Sequence, residues 1–422
     1  MIVKTKDLLS APAHKQSVSS DVDKRKRLGF IVILGALGGF GPLSMDMYLP
    51  SLPAMTRDLQ TGTSLAQLSI TACLIGLALG QIIIGAYSDA HGRRGPLLVG
   101  LILFTITSFL CSITTSIFWL ILLRLIQGMA GAAGMVISRA IARDLYSGRE
   151  LTKFFSMLMA INGFFPILAP ILGGFILNFT SWRGVFIVLT IIGVLLFLGA
   201  LVGVPETLPS SRRITGGLSA SVSALQTICK DRQFISYAGV LGLVMGAMFC
   251  YISGSSFVLQ DMFHVSPFMF SIIFAINGTG IVLMSQLAGI LTSKISEKKI
   301  LQIGVSIAFI GSLALSAGLL LHPARLFAVI LPFFLIVSMV GLVNTTSFSL
   351  AMQSQGRAAG SASAILGMGM NLIGAILSPF VGILGSGTYL PMALLILICD
   401  AGAFFIFVFV IKSRVKEGSS RG

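Results

Sequence analysis

The sequence predicts an all-α polytopic membrane protein with twelve transmembrane helices in two six-helix halves. Three observations lead there. First, 55% of the 422 residues are apolar, only 10% are charged, and the mean hydropathy is +0.97. A soluble domain carries about 25% charged residues, and no soluble core could hold this much apolar surface. Second, runs of about 20 apolar residues, the length that crosses a bilayer as a helix, recur along the chain. Third, Lys and Arg gather on alternate connecting segments.

Residues 1–27 are polar and basic and are expected to form a cytoplasmic N-terminus. The apolar run that follows is too long for a signal-peptide core and has no small-residue cleavage site, so it is expected to stay as the first helix. The N-terminal half, 28–204, holds runs at 28–49, 66–87, 97–116, 118–137, 154–178 and 184–204. The stretch 205–233, with "PETLPSSRRITGG", is polar and Ser/Gly-rich and forms a central cytoplasmic loop. The C-terminal half, 234–411, holds runs at 234–258, 268–292, 300–320, 326–350, 359–384 and 388–411, before a tail at 412–422. The 47 glycines suit helices that approach closely in lipid.

With the N-terminus placed in the cytoplasm, 25 of the 29 Lys and Arg fall on inner segments and 3 (Arg57, Arg183, Arg325) on outer loops; Arg124 lies within a span. The asymmetry places both termini in the cytoplasm and accounts for the net charge of +15 without nucleic acid as a partner. Cysteines 73, 111, 229, 250 and 399 make no CxxC, and the four histidines are scattered. No metal site, cofactor or nucleophile–base pair is expected, which argues against an enzyme. No polar stripe runs along several spans, which argues against a channel. A 6+6 plan is how many secondary transporters are built, with the substrate near the midplane between halves.

Charges inside lipid cost about 2.5–3.5 kcal/mol each on insertion scales, so the three in these spans are candidate functional residues. Asp46, in "GPLSMDMYLPSLPAM", lies near the outer end of the first span. Arg124 lies about six residues into the fourth, roughly 9 Å deep. Both occupy the outer half of the membrane, where they are expected to face one cavity as a protonatable acid and its cationic partner; a static ion pair fixing two helices is the other reading. Tyr48 contributes a ring and a hydroxyl, and Pro50 and Pro53 are expected to kink or end the helix beside Asp46. Arg124, Gln127, Gly128 and Gly131 share one helical face. Asp400, in the twelfth span, has no obvious charged partner, and its role stays open.

Four further stretches stand out. "GAYSDAHGRRG" joins the second and third spans; Gly85, Asp89, Gly92, Arg93 and Arg94 are read as a gate, beside the plainer reading of a basic turn. Arg139, Arg143 and Asp144 are expected to be solvated or at lipid headgroups. In "FFPILAPILGG", Pro166 and Pro170 are expected to bend the fifth span and Gly173 and Gly174 to loosen it. "FCYISGSSFVLQ" ends the seventh span and "NTTSFS" lies in the tenth; Tyr251, Ser255, Gln260 and Asn344 are cavity candidates, or interhelical hydrogen-bonders.

At these residues the chain resembles the major facilitator superfamily. "GAYSDAHGRRG" is similar to its loop 2–3 signature and "RLIQG" to its fourth-span signature. More closely it resembles the Bcr/CflA drug-resistance transporters of the twelve-span drug:proton antiporter branch. "DMYLPSLPAM", "FFPILAPILGG", "YISGSSFVLQ" and "AAGSASAILG" carry that likeness, from about Leu28 to Ile411. The chain departs from the pattern at Ala169–Pro170, in the degraded "TSKISEKK" of loop 8–9, and at Asp400. The resemblance implies the major facilitator fold and proton-driven export of small amphipathic compounds across a bacterial inner membrane. It also implies Asp46 for proton or cargo, Arg124 for coupling, and Asp89, Arg93 and Arg94 for the gate. The expected partners are the cargo, protons and the bilayer, with the chain a monomer and the proton gradient as energy source. A metabolite, amino-acid or siderophore carrier of the same fold is the alternative.

Overall fold

The computed structural model describes residues 22–146, 154, 164–213, 231–320, 325–353, 359–382 and 387–412. Among them the regular structure is helical, with no strand. The helices are α1 (Val22–Asp46), α2 (Leu52–Asp58), α3 (Thr63–His91), α4 (Arg94–Ile113), α5 (Ile117–Leu145), α6 (Phe164–Ile176) and α7 (Trp182–Gly203). After the central segment come α8 (Arg232–Phe257), α9 (Pro267–Leu291), α10 (Glu297–Ala317), α11 (Phe327–Met352), α12 (Ala359–Leu377) and α13 (Leu390–Phe405). In lipid a backbone has no water to bond, so each apolar run closes its own hydrogen bonds as a helix.

Among the described residues nine helices are long and apolar enough to cross a membrane, and a tenth span forms if the bent pair Val32–Gly41 and Leu43–Asp58 counts as one. Two shorter apolar helices, Phe164–Ile176 and Gly369–Gly382, stand where the fifth and eleventh spans are expected. Most of 154–163, the expected start of the fifth span, lies outside the described residues. So do 1–21, 214–230 and 413–422, and with them most of the N-terminal segment, central loop and tail. The helices also overrun their apolar runs: α1 begins at Val22, inside the basic segment, and α5 continues to Leu145. Polar ends prolong the helical ladder past the hydrocarbon.

In the first half α3 and α4 pack on α5, α4 on α7, and α1 on α5; in the second, α9 and α10 pack on α11, and α11, α12 and α13 on α8. The outward stripe of α7 shows Ile187, Ile191, Leu195 and Leu198 exposed, as a lipid-facing surface requires. The tightest approaches rest on glycine. A Cβ on Gly128 would stand 2.1 Å from the Cys73 carbonyl oxygen, and one on Gly341 2.0 Å from that of Ile281. Small residues at such crossings let two backbones touch, the main source of helix association without a hydrophobic drive. Gly85 makes no such approach, since its Cβ would meet only Val136 at 3.6 Å, an ordinary contact.

Gly128→Val should therefore destabilise the fold by more than about 3 kcal/mol, beyond the usual overpacking range. Loss of the monodisperse size-exclusion peak in detergent reads this out. Gly289→Val, at an exposed position with nothing within 4 Å, should leave that peak unchanged.

Candidate functional site

The first-half site is built where α1 stops. Pro50 has no N–H to give the Asp46 carbonyl, so the α-helix ends at Asp46. The chain turns through Met47 and Tyr48 into a single 3₁₀ turn, Leu49–Ser51, and then α2. The segments Val32–Gly41 and Leu43–Asp58 meet at 51°, so the sharp bend lies before Asp46, and Pro50 and Pro53 end the helix without making that bend. Asp46 is 5% exposed. Among the described residues its carboxyl has no ion pair and no hydrogen bond, and the Tyr251 hydroxyl lies within its electrostatic reach.

Arg124 is fully buried on α5. It makes no ion pair with Asp46, so the two charges are not the static pair that was the other reading. Its Nη1 donates to the Ser44 carbonyl at 3.2 Å and to Gln127 Oε1 at 2.6 Å. The guanidinium stands 5.0 Å from the Tyr48 ring centre and 5.7 Å from that of Phe186. Its Nε and Nη2 have no hydrogen-bond partner. Gln127 passes the chain on, donating through Nε2 to Ser108 Oγ at 2.7 Å, and Ser108 donates to the Phe104 carbonyl. Arg124 thus grips Ser44 and Tyr48, two residues either side of Asp46, rather than Asp46 itself. The Tyr48 hydroxyl bonds Ser69 Oγ at 3.2 Å; Ser69 donates to Ala66, so Tyr48 is the donor.

In the second half Tyr251 is buried on α8, stacked on Phe274 and edge-on to Phe333. Its hydroxyl accepts from Asn277 Nδ2 at 2.9 Å. Asn277 escaped the sequence analysis, although an Asn deep in the apolar eighth run was signal enough. Ser255 is fully buried. Gln260 makes interhelical hydrogen bonds: its Nε2 donates to the Pro50 carbonyl at 3.1 Å and to Ser256 Oγ at 2.8 Å. Asn344 is only half-buried, and its neighbour Thr345 makes the interhelical bond, to Ser285 at 2.8 Å.

Gln260 belongs to a seam between the halves. Ser256 Oγ donates to the Leu49 carbonyl at 2.7 Å, Gln67 Nε2 to the Ser253 carbonyl at 3.3 Å, and Thr63 Oγ1 to the Gly382 carbonyl at 3.2 Å. Arg57 pairs with Asp261 at 3.0 Å. The Leu49 carbonyl already accepts from the Leu52 N–H, and because Pro53, four residues on, has no N–H, its second lone pair is open to Ser256. Gly173 and Gly174 serve close approach here rather than loosening α6. A Cβ on Gly173 would meet the Met47 carbonyl at 2.1 Å, and one on Gly174 would meet Ser271 Oγ at 2.3 Å. Pro166 and Pro170 lie in α6, with the Pro166 carbonyl near Gly278 of α9.

The opposite end carries a different network. Arg93 Nε donates to Asp144 at 2.9 Å, and its Nη1 donates to Ser88 Oγ and to Asp89. Asp144 is therefore an ion-pair partner and not a solvated residue. Glu206, from the central "PETL" stretch, accepts from the backbone N–H groups of Arg93, Arg94 and Leu208. It caps the start of α4, where unpaired N–H groups and the helix dipole favour an anion. Partial burial works against its charge, but these N–H groups and Arg213 outweigh it and hold its carboxyl below the usual range. Gly92 has φ +100°, and a Cβ there would stand 2.6 Å from Glu206. Arg94 Nη2 donates to the Leu201 carbonyl. Among the described residues every hydrogen bond and ion pair of this network stays within the first half and the segment after α7.

Residues 34–379 match the family described as Major Facilitator Superfamily. The chain belongs to this superfamily. It is a multi-pass membrane transporter and not an enzyme. It is 43% identical over 397 residues to the MFS-type transporter YdgK of Bacillus subtilis (strain 168), covering 94% of this chain and 98% of that one. It is 27% identical over 389 residues to a bicyclomycin resistance protein homolog of Haemophilus influenzae, covering 92% and 97%. Among solved structures, a bacterial homolog of the human lysosomal transporter Spinster, inward-facing and unoccupied, superposes with TM-score 0.72 at 16% identity over 94% of this chain and 99% of that one. That likeness concerns the fold.

Two outcomes follow for this transporter. Glu206→Gln should lower thermal stability by about 0.5–1 kcal/mol at neutral pH, a capping loss reduced by solvent exposure. Because the folded carboxyl is held low, its contribution is present above the ordinary carboxylate range and fades as pH falls through its depressed value. Melting curves of wild type and Glu206→Gln should therefore converge in acid. Ser256→Ala with Gln260→Ala removes two seam donors, each bond worth about 0.5–1.5 kcal/mol. Impermeant maleimide should then label a cysteine placed at position 253 several-fold faster. Arg57→Ala alone should change that rate less, since its pair is solvent-exposed.

Proposed function

We propose that the chain is a secondary active exporter that exchanges inward-moving protons for small amphipathic, drug-like compounds. On this reading it works as a monomer in a bacterial inner membrane, with both termini cytoplasmic. The observation that carries the proposal is Asp46: a buried carboxyl without a neutralising partner, set at the break in α1 and within reach of the second half's Tyr251–Asn277 pair. Such an acid changes the local charge by one unit when it binds a proton. The segment that would respond, Ser44 to Tyr48, is held by Arg124. A proton moving inward gains about 2.3 kcal/mol per 100 mV. With the seam end facing out, as the Lys and Arg distribution predicts, this conformation has its halves joined on the outer side. The relative named for bicyclomycin resistance supports a drug as cargo.

Asp46→Asn should leave the protein inserted yet abolish proton-linked export. Resistance in a host stripped of its own pumps should fall at least tenfold, to the level given by an uncoupler. In vesicles, drug-induced proton movement should vanish. Resistance and proton movement equal to wild type would remove Asp46 from the mechanism; uptake of a metabolite, with no export of any drug tested, would replace the exporter by a carrier.

A further inference from the structure

The second half holds a carboxyl of its own that the Asp46 mechanism does not use. Asp400 lies on α13, 1% exposed, and neither carboxyl oxygen has a hydrogen-bond partner that meets bonding geometry. α13 packs against α8 and α10. From α10 the facing polar group is Ser312. Its hydroxyl donates to the Phe309 carbonyl at 2.9 Å, and in that rotamer its oxygen is an acceptor toward Asp400. The titratable groups facing Asp400 are two thiols, Cys250 from α8 and Cys399 from α13 itself. Among the described residues no Lys, Arg or His faces it from any of the three helices.

An ionised carboxylate in this setting meets no cation, only a hydroxyl already given to the helix backbone and two neutral thiols that are weak donors, so most of its lost hydration is not replaced. A protonated carboxyl carries no charge and supplies the O–H donor that the Ser312 oxygen can accept. We propose that Asp400 is a second proton-binding site, in the second half and separate from Asp46, protonated in the conformation seen here and exchanging that proton with water during the cycle. Binding takes one proton from water to form the carboxyl O–H, release returns it, and no other bond changes. The site stands whether or not Asp46 couples transport; if both exchange, one cycle has two proton sites to draw on.

The test is infrared spectroscopy of the purified protein in lipid vesicles, in an Asp46→Asn background that removes the first acid. The expected spectrum has a protonated-carboxyl C=O band that is absent when Asp400→Asn is added and displaced by Asp400→Glu. The band should shift in D₂O and decline as pH is raised into the alkaline range. Ser312→Ala, which removes the acceptor, should move it to higher frequency. A spectrum without any band that depends on residue 400 would overturn the proposal, since Asp400 would then be ionised. A band that neither exchanges in D₂O nor responds to pH would also overturn it, as a permanently neutral structural acid. If Asp400→Asn does not fold, the displacement in Asp400→Glu and the Ser312→Ala shift make the same assignment.

Discussion

A guanidinium with no exposed surface and no carboxylate beside it sets the terms for the first half. Arg124 must be surrounded by acceptors and rings, because nothing in lipid replaces its hydration. Its neighbours meet that need in order: a backbone carbonyl at Ser44, the Gln127 amide, the Ser108 hydroxyl behind it, and the faces of Tyr48 and Phe186. These come from α1, α4, α5 and α7. They converge only because α3 and α5 touch through Gly128 and the chain turns after Asp46. The helix break, the small-residue crossing and the polar chain are parts of one solution to placing a permanent cation in a membrane.

Much of this was legible in the sequence because lipid leaves few options. Apolar run length marks helices, charge asymmetry marks sides, and polar residues inside a run mark a purpose. Asp46, Arg124, Gln127 and the Arg93 turn were visible in that way. Partnership was not. Depth along a helix placed Asp46 and Arg124 at one level, but rotation about the helix decides what a side chain meets. Rotation turns Arg124 onto the segment around Asp46 instead of onto its carboxyl. Gln260 and Asn344 stayed between two readings for the same reason: a polar residue near a span end serves a cavity, a seam or a neighbour equally well until the helices are docked. Glu206 was hidden differently, inside a loop whose Pro, Ser and Gly suggested only a linker.

The two ends of the bundle are built from different materials. The seam joins halves through hydrogen bonds of about 2.7–3.3 Å spread over several residues. The Arg93 end concentrates its charges on the first half and the segment that follows α7. A network confined to one side stiffens that side as a body, while the seam is where the bodies part. Rocking of one half against the other needs both: rigid halves and a closure made of many small bonds that can be released in succession.

The seam's acceptors have a consequence for how such a protein can vary. Leu49, Pro50, Ser253 and Gly382 all contribute carbonyl oxygens, which every amino acid possesses. Leu49 and Ser253 keep their acceptors through a change of side chain so long as the backbone keeps its path, whereas Pro50 shapes that path and a Cβ at Gly382 would stand 2.5 Å from the Gln67 side chain. The donors Ser256, Gln260, Gln67 and Thr63 have no such protection. The tightness of closure is therefore written in a handful of donor side chains, and the prolines that shape the path between Asp46 and α2 are its silent template.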